Sequence, residues 1–342
     1  MPRPTRTAAP AAKPRRDLAQ EITDQIVARL EEGGELPWRQ PWKTTKIGLP
    51  LRHEGTAYRG INVFLLALSA MAHGYGSAHW MTYRQAAELG GQVRKGERAT
   101  TVVFYGTARD KRADDEASGA ASSDEDGDRH YRFLKSFAVF NACQIDGLPD
   151  RYRPAPPSLD GGARRPEPGD PLFALAEAMT AGLGVGYAEG GERACYSPGA
   201  DRISMPALER FESVETYLAT RFHEHAHATE IPARLGIDYG AKVFGNEAYA
   251  KGELYAELTS ALLGAHLGFA PDHIEDHAAY VQSWLKVLRG NKRFILKAAA
   301  DAQRGVDYLL EAAERGRSAS TSCTVVGEDP SGSRAKAMAL SA

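Results

Sequence analysis

The 342-residue chain has only three cysteines: Cys143, Cys195 and Cys323. Their odd number and wide spacing argue against a disulfide framework and a cysteine-rich zinc site, and fit a reducing compartment. No apolar run approaches the ~18 residues of a membrane span, and the N-terminus has no apolar signal core. A cytoplasmic protein with no membrane partner is expected. Charge of one sign is also lacking overall, the net being −2. Internal repeats at solenoid or propeller periods are absent, as is a carboxylate cluster that would mark a two-metal polymerase site. What is present, 43% hydrophobic and 25% charged residues, supplies a sizeable core. The length suggests two domains.

The balanced net charge hides a sharp division. Residues 38–105 hold nine basic residues against three acidic ones, a local +6, whereas residues 114–128 hold seven acids and no base. A polar run rich in Pro, Gly and Arg, residues 151–169, reads as a linker between two halves. The first 16 residues and those from about 316 on lack periodicity and are expected to be disordered.

The second half contains His223-Glu224-His225-Ala226-His227, an HExxH pattern. On a helix, residues four apart share a face, so His223 and His227 can turn two imidazoles toward one ion. Neutral imidazole suits Zn²⁺, and Glu224 stands where a carboxylate can deprotonate the water that such an ion activates. The surroundings favour a helix. Ser213 is a plausible N-cap, Glu215 suits the first turn, and Val214, Leu218, Phe222 and Ala226 recur every four residues. Pro232 and Gly236 stop it.

Two histidines need a third ligand. Residues 250–269 read as a second helix, with Glu253 and Glu257 on one face. A glutamate from a crossing helix can complete a His₂Glu set, and both fit. His266, His273 and His277 are weaker candidates. A strand over residues 203–205 is a candidate to hold an extended substrate by backbone pairing. Tyr280, on a helix over residues 274–288, is a core tyrosine or a donor to a developing oxyanion.

The first half reads as α+β. Helices are expected over residues 17–32 and 63–73, with another opening at Trp80 and ending at Gly90-Gly91. Strands are expected at 92–95, 100–105 and 133–141, the last pairing back onto 100–105 across the acidic stretch. Trp38 and Trp42 lie on a proline-stiffened run beside cations. Aromatics interleaved with Lys and Arg suit single-stranded nucleic acid, because bases stack on rings while cations follow phosphates. Trp42, Arg59, Tyr83, Arg84, Arg94 and Lys95 are the candidate DNA contacts. A buried core role for Trp38 and Trp42 is the competing reading.

Residues 36–104, with LPWRQPW, YRGINVFLL, WMTYRQAAELGGQVRKGE and TTVVFY, resemble the N-terminal domain of ArdC-type antirestriction proteins. That domain is shared with the TraC-type primases of conjugative plasmids. Downstream, HEHAHAT, FGNEAYAKGELYAEL, HAAYVQSWLKVL and KAAADAQRGVDYL are similar, in order, to the zincin-like domain of the same family. The stretch Glu253-Leu254-Tyr255-Ala256-Glu257 also resembles the ligand helix of ImmA/IrrE-type metallopeptidases, which favours Glu253 as the ligand and leaves Glu257 to orient a ligand histidine. Two positions depart from the family pattern: His225, commonly small or aliphatic, and Gly252 beside Glu253.

The resemblance implies an antirestriction protein of a mobile element, with a single-stranded-DNA-binding domain joined to a zinc metallopeptidase acting on an unknown protein substrate. Its implied ligands are His223, His227 and Glu253, with Glu224 as the base and Zn²⁺ as the cofactor. The expected fold is α+β in two domains. Residues 17–150, with an acidic insert at 107–130, form the DNA-binding domain. A linker at 151–170 leads to a mostly helical zincin-like domain with a small sheet at 171–315. The alternatives are a non-catalytic DNA-protection protein with a structural or vestigial metal site, or a replication accessory like the primase relatives.

Overall fold

A computed structural model describes residues 16–33, 36–38, 48–109, 130–154, 170–268 and 278–325. The architecture is α+β in two parts. Trp42, the acidic stretch 114–128, His273 and His277 lie outside the described residues, as do most of the linker and both chain ends.

The first part is built on a four-stranded sheet in the order β1 (Leu51–Arg52), β2 (His79–Met81), β5 (His130–Asn141), β4 (Thr100–Arg109). The long pairing is antiparallel, with Thr100 opposite Val139, as the sequence predicts. The strands extend to Arg109 and from His130, so both ends of the expected insert belong to the sheet. Helix α2 (Ile61–His73) packs against β4. It also protects the sheet edge: Asn62 donates to the Val103 carbonyl and accepts from the Val103 N–H, both at 2.8 Å. An edge strand satisfied in this way offers no ladder there to another chain.

The stretch at Trp80 corrects one expectation. Trp80 and Met81 are buried strand residues of β2. The helix, α3 (Tyr83–Glu88), starts only after Thr82, whose hydroxyl caps the Gln85 N–H while the Gln85 side chain returns to the Thr82 N–H. That reciprocal cap sets the helix start. Strand β3 (Gln92–Val93) pairs with β6 (Ile145–Asp146). Tyr152, at the head of the expected linker, is buried in this part and donates its hydroxyl to the His53 carbonyl at 2.9 Å.

The second part holds a three-stranded sheet, β7 (Gly186–Glu189), β9 (Arg202–Met205) and β8 (Cys195–Ser197), with β9 in the middle. Among the described residues this part also has five α-helices, α4 (Pro171–Leu183), α5 (Val214–Thr229), α6 (Glu247–Leu267), α7 (Ala278–Gly290) and α8 (Phe294–Val325), of which α5 packs on β8 and β9. Helix α8 therefore runs on into the stretch that the sequence suggests is a tail. Helices α4 and α8 meet backbone to backbone: a Cβ on Gly182 would fall 1.7 Å from the Ala312 carbonyl oxygen, and one on Gly316 would fall 2.1 Å from that of Ala178.

The first helix of the chain, α1 (Leu18–Glu32), packs against α7 of the second part. Thr23 donates to the Lys292 carbonyl at 2.7 Å, the Lys292 ammonium pairs with Asp17, and Arg289 pairs with Glu31. Ile22, Ile26, Leu30 and Trp38 thus join the same apolar core as Trp284, Leu285 and Leu288.

Candidate metal centre

Helix α5 forms as its sequence dictates. Ser213 accepts from the Thr216 N–H, and Leu218, Phe222 and Ala226 are fully buried. This fixes one flank of the helix on the core and directs His223 and His227 toward α6, which crosses it carrying Glu253. Helix α6 begins with Asn246 capping the Tyr249 N–H at 2.8 Å.

The three side chains converge. His223 Nε2 and His227 Nε2 are 3.1 Å apart, and the Glu253 carboxylate lies 3.5 Å from the first and 3.6 Å from the second. Ligands at the usual ~2.0–2.1 Å from a tetrahedral zinc are roughly 3.3 Å from one another, so this triangle is the size that one ion requires. Together they form a group of metal-capable side chains among the described residues. Glu257, the other glutamate the sequence leaves open, does not enter the triangle. Its nearer oxygen is 4.0 Å from His223 Nδ1, on the far side of the ring. It accepts instead from the Trp38 indole N–H at 2.9 Å.

The electrostatics match a cation site. Burial pushes the His227 imidazole down, but the Glu253 and Glu230 carboxylates outweigh it and hold the group well above its ordinary value. For His223, burial is likewise opposed, by Glu253 and by the nearby Glu224, and the net direction is up. Burial also opposes ionisation of Glu253, yet the two imidazoles keep it well below the usual carboxylate range. A pocket whose negative potential draws protons onto imidazoles draws a dication in their place.

A second layer holds the ligands. His227 Nδ1 meets Glu230 Oε1 at 2.7 Å, and Lys242 Nζ meets the other Glu230 oxygen at 2.5 Å. Lys242 reaches it by passing over Gly252, where a Cβ would lie 2.3 Å from Nζ. Gly252 thus makes room for the ion pair that orients His227. His225 points elsewhere: fully buried, its Nε2 lies 2.8 Å from the Thr180 hydroxyl. That hydroxyl donates to the Ala176 carbonyl, so His225 must donate from Nε2. Burial, with Arg221 nearby, pushes its pKa well below the ordinary value and keeps it neutral. His266 is exposed near the end of α6.

The histidine-bearing helix borders an open cleft of about 740 Å³ lined by Ala194, Phe211, Thr220, Phe244, Tyr249 and Tyr280, among others. Tyr280 is partly buried: it packs against the core and also lines the cleft. Its ring stacks on Trp284, and its hydroxyl is 3.2 Å from that of Tyr249. Tyr249, one helical turn before Glu253, is a residue the sequence reading missed. Burial, the Tyr280 hydroxyl and Glu253 all push its pKa up, so it keeps its proton. The expectation that residues 203–205 hold a substrate by backbone pairing is overturned: β9 is paired on one side to β7 and on the other to β8.

The candidate DNA contacts among the described residues carry partners of their own. Arg59 pairs with Asp307 of α8, and the exposed Arg84 pairs with Glu88 at 2.8 Å. Arg94 binds Glu97, Asp146 and the Cys143 carbonyl. Tyr83 is exposed and accepts from Gln92, and Lys95 is exposed.

Each half of the chain is similar to a known family. The family described as the N-terminal domain of anti-restriction factor ArdC matches residues 16–140, and the zincin-like metallopeptidase family matches residues 174–301. An uncharacterized protein, y4eC, of Sinorhizobium fredii (strain NBRC 101917 / NGR234) is 36% identical over 301 residues, covering 86% of this chain and 91% of that one. A DNA primase TraC of Escherichia coli is 36% identical over 310 residues, covering 87% of this chain but only 27% of the primase. The metal-free crystal structure of the antirestriction ArdC protein from plasmid R388 superposes with a TM-score of 0.71 at 42% identity, covering 87% of this chain and 98% of that one. Its Mn(II)-bound counterpart gives 0.70 at 41%, with the same coverage.

Proposed function

Because this chain belongs to the family of ArdC-type antirestriction proteins, we propose that it binds single-stranded DNA through its first part and hydrolyses peptide bonds with its second. The observation that carries the enzymatic half is the His223–His227–Glu253 triangle, with buried Glu224 beside it; the open cleft is lined by Thr220 and Tyr249, each about one helical turn from a triangle residue. These three residues would hold zinc or another divalent ion, and such an ion, when bound, supplies a Lewis acid that activates water and polarises a carbonyl.

Glu224 is the proton acceptor in this reading. It is the carboxylate next in sequence to His223, outside the ligand triangle, and 5% exposed. A buried carboxylate lacks bulk water to compete for its charge, so proton transfer to it from the attacking water is strengthened. Tyr249, protonated and one turn from Glu253, can donate to the oxygen that gains charge, with Tyr280 steadying it from 3.2 Å. An extended substrate would pair along the outer edge at β8, since Arg193 and Ala194, just before that strand, line the cleft.

Glu224→Gln tests the mechanism. It keeps the three ligands, so metal content should stay at the wild-type level while cleavage of the best substrate falls by a factor of at least ~100. If the variant cleaves as wild type does, Glu224 is not the base. If it loses cleavage but still protects DNA in cells, the protective function rests on DNA coating rather than on proteolysis.

A further inference from the structure

The open face of the first sheet carries aromatic rings outside the set of candidate DNA contacts. The β4–β5 register places Val102 opposite Phe137, Phe104 opposite Lys135, and Gly106 opposite Phe133. Alternation along each strand therefore puts Phe104, Phe133, Lys135 and Phe137 on one face. Phe104 is 54% exposed and Phe137 48% exposed. The Phe104 and Phe133 rings, tilted 46° to each other, close over residue 106 because it is glycine: a Cβ there would come within 2.4 Å of the Phe133 ring and 2.8 Å of Phe104. Phe104 and Phe137 line an open groove of about 310 Å³ together with Arg52, Glu54, Tyr58, Thr82 and Gln85, among others.

Three features identify what fits there. Cations accompany the rings: Arg52, which lines the groove along with Glu54, holds its guanidinium 5.5 Å above the Tyr58 ring, and Lys135, paired across the strands with Phe104, holds Nζ 4.9 Å above the Phe133 ring. Exposed rings flanked by cations match bases flanked by phosphates. Second, a peptide adding as a strand is blocked at Val103, because Asn62 already occupies both of its backbone groups. Third, a duplex keeps its base faces stacked inside, so only a single strand can offer them. Gln85 commits its Oε1 to Thr82, leaving its amide nitrogen as the donor for a base edge.

We infer that this groove is a nucleobase-binding subsite for single-stranded nucleic acid. Unstacked bases lie on Phe137 and Phe104, and Arg52 and Lys135 hold the flanking phosphates. The inference rests on the reading of the first part as a single-stranded-DNA-binding domain, and it assigns the contact surface to the sheet face rather than to Tyr83, Arg84, Arg94 and Lys95.

The test is fluorescence anisotropy of a labelled single-stranded oligonucleotide with the full chain and its variants. Phe104→Ala and Phe137→Ala should each weaken binding by about tenfold. They should leave the salt dependence unchanged, and Phe137→Tyr should restore affinity. Arg52→Gln should lower the slope of log K against log salt by about 0.7, one phosphate contact. Photocrosslinking of bromodeoxyuridine DNA to wild type, which needs no variant to fold, should map to Phe104 or Phe137. Wild type that binds single strands, with Phe variants equally tight and crosslinks elsewhere, would overturn the subsite and leave the domain reading standing. Wild type that binds no single strand, or binds duplex equally well, would overturn both.

Discussion

The Trp38 indole donates a 2.9 Å hydrogen bond to Glu257, a residue 219 positions away, and the other oxygen of that carboxylate lies 4.0 Å from His223 of the candidate metal centre. A tryptophan from the first part of the chain thus holds a carboxylate that borders the candidate centre in the second. Both side chains are essentially fully buried, and the indole packs edge-on against Trp284 at 5.5 Å. Trp38→Phe keeps most of the packing but removes this buried hydrogen bond to a carboxylate. The expected cost is about 1–3 kcal/mol in unfolding free energy. Metal affinity should also weaken, by up to the ~10-fold lower end for residues that orient a ligand. Denaturant melts and metal titration of the variant check both.

Gly252 presents two opposed effects. Replacing it with Ala should gain about 1 kcal/mol of helix propensity in the interior of α6. The new methyl, however, displaces the end of Lys242, a flexible side chain, from Glu230. Gly252→Ala is therefore expected to match or exceed wild type in thermal stability while binding metal several-fold more weakly, since Glu230 then holds His227 less firmly. A thermal scan and metal titration on the same sample separate the two effects.

The crossing of α4 and α8 depends on Gly182 and Gly316, and there sterics dominate. An Ala at 182 would gain the same ~1 kcal/mol of propensity, but its Cβ would sit 1.7 Å from a backbone oxygen that no rotamer can move. Overpacking typically costs 1–3 kcal/mol, and a backbone clash lies at the upper end. Gly182→Ala should be net destabilising by about 1–2 kcal/mol in urea unfolding, opposite in sign to Gly252→Ala.

Arg234 ties the β8–β9 turn to the end of α5. It donates to both Asp201 oxygens at 2.9 Å and to the Ala228 and Leu183 carbonyls. The Arg234 guanidinium holds the Asp201 carboxylate below its usual range, although some burial opposes this. A depressed folded-state value means that the contribution is complete above the unfolded aspartate pKa, ~3.9. It is lost as pH falls through the folded value. Because the Asp201 side chain is 42% exposed, water screens the pair, so Asp201→Asn should cost only about 0.5–1 kcal/mol at neutral pH, and the gap from wild type should close as pH falls below about 4. Urea midpoints across pH 3–7 measure that convergence.

Much of the site could be read from the chain because its signals are local. A four-residue apolar repeat, a serine N-cap and the HExxH spacing all lie within residues 213–227, and the helix forms over them. The strand over residues 133–141 that pairs back onto β4 was legible as an aromatic-rich apolar run. What stayed hidden depends on distant contacts. Glu253 and Glu257 share one helix face, and only the crossing of α5 and α6 distinguishes ligand from support. Trp38, beside cations and proline, carries the surface features of a DNA contact, yet its ring is buried against Trp284. Strand β9 offers no pairing edge because β7 and β8 claim both sides, which no pattern within residues 203–205 reveals. Other signals were present but unread: the Thr82–Gln85 capping pair, and Glu230 three residues after His227.

Metal content measured by elemental analysis and calorimetric titration of zinc and manganese, on wild type, Glu253→Gln and Glu257→Gln, tests the centre most directly. The account predicts one divalent ion per wild-type chain, none retained by Glu253→Gln, and one bound more weakly by Glu257→Gln. A folded Glu253→Gln protein that keeps its ion, or a folded wild type that cannot be loaded with either metal, would contradict it.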